Sequence, residues 1–319
     1  MRRELRTASF PAGGHLIALL LSTVALGGLC AVNFALRWVD WCNVAVSPLS
    51  EAWMNTGFIL ASAFFAALAV ADMFRPQVLW TVPLVYGLFF LVLPTSMFFS
   101  DYLIANMLVV FSMYHVMKCS GSAGSEKGHV FFASFFVVLA AWFVPSAVVF
   151  LLAVYMGIVL FSPSDVRALL IPLAGMAASY VLLLTYEIVF LGGSSFFPEM
   201  SLKVFAMPYT EKVFKADNFY FYAACLAFVL LWAYLGLGNA VRNDTVPRKK
   251  RFMALSAMSV SAALAVAVMP SGKYLVVFFS LPFAAVVARF FTIEGARVSK
   301  SIIRWFLAIV ALGSLFFFK

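Results

Sequence analysis

The stretch VRNDTVPRKKR, Val241–Arg251, is the densest charge cluster in a chain of which only 11% of residues are charged. Hydrophobic runs flank it on both sides. In a helical membrane protein Lys and Arg collect in the loops that stay on the cytoplasmic side, so a cluster of this kind sets the face on which every other loop lies. What the cluster means depends on whether a membrane is involved at all.

Composition answers that question. Of the 319 residues, 65% are hydrophobic and the mean hydropathy is +1.03, against about 45–50% apolar residues in soluble domains. Apolar runs of roughly 17–25 residues recur, each enough to cross about 30 Å of hydrocarbon as a helix. Strand-length alternation broken by turns does not appear, which argues against an outer-membrane barrel. The net charge is +9, but the basic residues sit between the apolar runs. They read as topology signals, and no nucleic-acid partner is expected. Cys30, Cys42, Cys119 and Cys225 form no CxxC pair, so neither a disulfide framework nor a thiolate metal site is indicated.

The pattern predicts an all-α, polytopic transmembrane helix bundle of about 11 spans with its amino terminus inside and its carboxyl terminus outside. Residues 1–13 read as a retained cytoplasmic tail, and 14–319 as a single transmembrane domain. The expected spans are Gly14–Leu36, Thr56–Ala71, Val78–Met97 and Tyr102–Met117, a hairpin within His129–Phe161, then Ala168–Leu191, Asn218–Ala240, Phe252–Met269, Tyr274–Phe291 and Ile302–Phe318. The run His129–Phe161 carries the parity of the whole chain. As one straight helix it would extend to about 50 Å, well past the hydrocarbon thickness. Pro145 at its middle predicts a turn near Val144–Ser146. With a single crossing instead, VRNDTVPRKKR would lie outside, against the charge rule. With the hairpin, most of the 22 Lys and Arg lie inside.

Familiar nucleotide-binding and hydrolase signatures are absent. His15, His115 and His129 fall near inner ends of spans, where an interfacial role is expected. The first outer loop, Arg37–Asn55, groups Arg37, Asp40 and Glu51 with Trp38, Trp41 and Trp53. A carboxylate at the outer face is suited to general-base work or to holding a metal against a lipid-linked phosphate, and tryptophan stacks on sugars and head groups. The competing reading is an aromatic belt with an Arg37–Asp40 pair. Asp101 opens the fourth span on the same side, where a helix N-cap is the plainer role. Glu187, in TYEIVF, is an acid about one turn inside the outer end of its span. An intramembrane carboxyl is costly and marks a functional position, unless it reaches back to the interface. The candidate catalytic residues are therefore Asp40, Asp101 and Glu187, and the candidate substrate-binding residues Arg37, Trp38 and Trp41. The sequence names no cofactor and no metal.

The segment Phe150–Leu191, ending LLAVYMGIVLFSPSDVRALLIPLAGMAASYVLLLTYE, resembles an uncharacterised family of polytopic inner-membrane proteins from Bacteroidota. The shared pattern is a short span, a polar turn with Arg, and the Leu-Ile-Pro-Leu-x-Gly segment Leu170–Gly175. The resemblance implies location and architecture, the cell inner membrane and a multi-pass bundle, and carries no activity. A looser likeness is to multispan lipid-linked-sugar glycosyltransferases, which place a catalytic acid on the first outer loop where Asp40 stands. That loop is shorter here and no second acid adjoins Asp40, so no site is carried over. The expected partners are membrane lipid, and a lipid-linked glycan or another membrane subunit. The expected role is to act on, or assist with, a lipid-linked envelope precursor at the outer face. A secondary transporter and a non-catalytic scaffold subunit are the alternatives.

Overall fold

In the computed structural model, residues 48–73, 81–93, 100–119, 126–161, 166–191, 219–242, 244–268, 276–292 and 297–317 are described. Among them the chain is helical, with no strand. The α-helices are α1 (Pro48–Val70), α2 (Thr81–Val92), α3 (Ser100–Lys118), α4 (Glu126–Phe143), α5 (Leu151–Phe161), α6 (Ile171–Tyr186), α7 (Phe219–Arg242), α8 (Val246–Val268), α9 (Ser280–Thr292) and α10 (Arg297–Phe317). Among the described residues two segments, Trp53–Val70 and Ile171–Phe190, are by themselves long and apolar enough to cross a membrane. The expected first span and the part of the first outer loop that contains Arg37, Trp38, Asp40 and Trp41 lie outside the described residues.

The chain does reverse at Pro145. Helix α4 stops at Phe143, Val144 is extended (φ −136°, ψ 100°), and Pro145–Phe150 forms a 3-10 turn that leads into α5. Proline at the first helical position needs no amide donor and cannot extend the preceding helix, so this residue both ends one element and starts the next. The proof of reversal is downstream. Helix α6 lies parallel to α4: Ser179 meets the Phe135 carbonyl, and further along Trp142 packs on Tyr186. Two parallel helices in succession require α5 to run back between them.

Other contacts give the remaining directions. His115 packs on His129 and Phe111 on Phe136, so α3 and α4 are antiparallel. Phe228 meets Phe306 and Trp232 bonds Ser299, so α7 and α10 are antiparallel. Phe278, just before α9, packs on Phe150 near the α4–α5 turn, and Ser280 reaches Asn106. The start of α9 therefore lies at the end where α4 finishes. One continuous core runs through the bundle, with Tyr86, Phe89, Phe90, Phe150, Phe278 and Phe283 fully buried in it.

Boundaries move in three places. Pro48–Asn55, expected in a loop, is the first part of α1, again with proline at the opening position. The basic stretch Val241–Arg251 is mostly helix: α7 continues to Arg242, α8 begins at Val246, and only the residues between connect them. The Lys249 amide donates to the Thr245 carbonyl at 3.1 Å, which makes Thr245 the residue that starts the helix, with Pro247 in its first turn. Lys and Arg are good helix formers, so charge density marks the end of an apolar run without marking a loop. Asp101 is likewise inside the first turn of α3, after Ser100, and is not its cap.

Candidate functional site

The helix directions separate the charges. Every Lys and Arg among the described residues lies at or near one end of the bundle, the end of the α3–α4, α5–α6, α7–α8 and α9–α10 connections. Lys118, Lys127, Arg167, Arg242, Arg289 and Lys300 represent each of these. At the opposite end the described ionisable acids are Glu51, Asp101 and Glu187. Both described candidate acids are thus brought to one end, while Asp40, Arg37, Trp38 and Trp41 fall outside the described residues.

Asp101 and Glu187 occupy different environments there. Asp101 is exposed in the first turn of α3, where its charge complements the unsatisfied amides of the helix start. Glu187 is 6% exposed. Its neighbours Tyr186, Ile188, Val189 and Phe190 all face outward. The buried residues of α6 are Pro172, Gly175, Ser179 and Leu183, and Glu187 continues that row by one further turn. The row is the face packed on α4. Glu187 therefore does not reach back to the surface beside Tyr186. It also begins a π-turn, Glu187–Leu191; the wider turn is uncommon and is found at functional positions more often than elsewhere.

The close approach of α6 to α4 fixes the height of Glu187. Gly175 sits against the Phe131 carbonyl and Ser134 Oγ with no room for a side chain. One turn on, Ser179 Oγ donates to the carbonyls of both Phe135 and Gly175, each at 2.9 Å.

A second polar group lies inside the bundle and was not anticipated as a unit. Asn106 Nδ2 donates to the Tyr86 hydroxyl at 2.7 Å, and Ser280 Oγ donates to Asn106 Oδ1 at 3.3 Å. Ser62 stands beside the same hydroxyl. Four elements, α1, α2, α3 and α9, so contribute one polar side chain each, all buried. A lone asparagine within an apolar run, as Asn106 is, suits a hydrogen bond between helices, but its partners depend on helix rotation.

A third group, also unanticipated, is the pair His115 and His129, whose Nδ1 atoms lie 2.9 Å apart at the basic end. Among the described residues no set of three or more His, Cys, Asp or Glu is arranged to hold a metal ion. Compared with protein-family models, curated proteins and solved structures, the chain matches none.

Proposed function

We propose that this is a multi-pass protein of the cell inner membrane, of about eleven spans, whose basic end faces the cytoplasm. Its outer end acts on, or presents, a lipid-linked envelope precursor, with Asp40, Asp101 and Glu187 as the working acids. The observation that carries the reading is the burial of Glu187 at the end of the bundle opposite every described cation.

Three features support the membrane part. Cations gathered at one end are what the charge rule demands of a helical membrane protein. Large apolar side chains stay exposed on several helices, among them Val181, Leu182, Val189, Leu231, Leu235 and Ile309; contiguous apolar surface is rare on soluble monomers. The third feature is length. Pro145–Phe161 and Val276–Thr292 each join a 3-10 turn to an α-helix. At about 2.0 Å and 1.5 Å of rise per residue each reaches roughly 28 Å, near the hydrocarbon thickness.

The chemical part rests on what a buried outer carboxyl can do. Held away from bulk water, it is a strong acceptor for a hydroxyl or a cation that arrives with a phosphate-bearing lipid. In a strain lacking the protein, lipid-linked glycan profiles should change, and E187Q, D101N and D40N should fail to restore them. An unchanged profile in that strain would sink the reading. Ion-coupled transport is the second reading, favoured by the polar group around Asn106, since polar residues inside a bundle also mark ion pathways. Restored glycan profiles alongside lost solute uptake in E187Q would select it.

A further inference from the structure

His115 lies near the end of α3 and His129 near the start of α4, and both are partly buried. Their Nδ1 atoms face each other at 2.9 Å. The His115 ring is fixed in plane by stacking on Phe132 and Phe136, at 5.4 Å and 5.7 Å between centroids, with Tyr114 edge-on at 5.3 Å. Two metal–nitrogen bonds of about 2.0–2.1 Å meeting at roughly 90–110° hold their nitrogens about 2.9–3.4 Å apart. The separation found here is the near end of that range. We propose that His115 and His129 form a two-histidine site for a nitrogen-preferring divalent transition metal, Zn2+ or Cu2+, which clips α3 to α4 at the basic end.

The surroundings narrow the ion. Lys118 follows His115 by one turn and is close enough to His129 for their charges to interact. A hard cation held by charge alone, such as Mg2+ or Ca2+, is disfavoured beside an ammonium group and finds no oxygen ligand in the pair. Zn2+ and Cu2+ bond neutral imidazole directly and tolerate that neighbour better. Cys119 is not a third ligand, because its buried Sγ is turned to the His115 carbonyl at 3.4 Å. With two protein ligands the ion keeps open positions for water, and both imidazoles are partly exposed.

The test uses the full chain purified in detergent without a histidine tag, stripped with chelator and then dialysed against Zn2+. One ion per chain should bind, with a rise in Tm that chelator reverses. H115Q and H129Q should each abolish both effects, while H15Q retains them. Bound Cu2+ should show two nitrogen ligands by electron paramagnetic resonance in the unaltered chain. Equal zinc uptake by the unaltered chain and H129Q, or no saturable uptake, overturns the proposal and leaves an imidazole–imidazole hydrogen bond only. Should H115Q fail to fold, H129Q and the nitrogen count decide.

Discussion

Arg289 Nη2 donates to Asp244 Oδ2 at 2.8 Å, and the two side chains are only 18% and 15% exposed. This pair ties the short connection between α7 and α8 to the last turns of α9. Arg248 also approaches Asp244, at 3.7 Å, but is 40% exposed. An exposed ion pair contributes roughly 0–1 kcal/mol, whereas removing one partner of a shielded, hydrogen-bonded pair strands the other charge at about 1–3 kcal/mol. D244N should therefore lower stability in detergent by about 1–3 kcal/mol, and R248Q by less than about 1 kcal/mol. Thermal unfolding of D244N, R289Q and the double variant checks this. The double variant should be less destabilised than the sum of the singles.

Gly175 gives the second prediction. A methyl group there would collide with the Phe131 carbonyl and Ser134 Oγ, so α6 must shift away from α4 to accommodate it. Small residues that let backbones approach are how helices associate where water supplies no driving force. G175A should cost about 1–3 kcal/mol, in the range of overpacked cores. G238A is the control, since nothing lies within 4 Å of a methyl group at that position. It should be neutral or slightly stabilising, because alanine favours helix over glycine by up to about 1 kcal/mol. Equal melting temperatures for the two variants would remove the packing argument.

These cases show which features were readable from the sequence and which were not. Pro145 was readable because its effect is local: a fixed φ and a missing donor end a helix whatever surrounds it. The helical start at Thr245–Pro247 carries the same kind of local signal, but the density of charge beside it points to a loop. The His115–His129 contact had no local signal. It depends on how α3 and α4 are rotated and staggered, which core packing decides. Glu187 could be placed along its span, but its burial follows from the row Pro172, Gly175, Ser179, Leu183 facing α4. For Asp40, Arg37, Trp38 and Trp41 the expectation stands on sequence alone.

The Asn106–Tyr86 bond gives a third prediction, of coupling energy. Asn106 is 1% exposed and Tyr86 fully buried. Hydrogen bonds between transmembrane helices average about 0.6 kcal/mol in double-mutant cycles, with a maximum near 1.7 kcal/mol. Asn106 also accepts from Ser280, and Ser62 stands beside the Tyr86 hydroxyl, so each truncation disturbs more than one contact. N106A should be the more damaging single change, because it also empties buried volume where Y86F keeps its ring. The cycle of N106A and Y86F should return about 0.6–1.7 kcal/mol of coupling. A cycle that closes at zero would mean that the two side chains are satisfied independently.

The last prediction concerns sidedness, on which the outer-face reading depends. Lys249 and Asp101 lie at opposite ends of the bundle, Lys249 among the cations and Asp101 at the acidic end. In a chain with its four native cysteines replaced, K249C and D101C provide one thiol at each end. With the basic end cytoplasmic, D101C should react with a membrane-impermeant thiol reagent in intact spheroplasts. K249C should react only after the membrane is permeabilised. Reactivity of both from outside would mean that the bundle does not span the membrane between them. Reversed reactivity would place Glu187 on the cytoplasmic side, where a periplasmic lipid-linked precursor cannot reach it, and the functional reading would fall with the orientation.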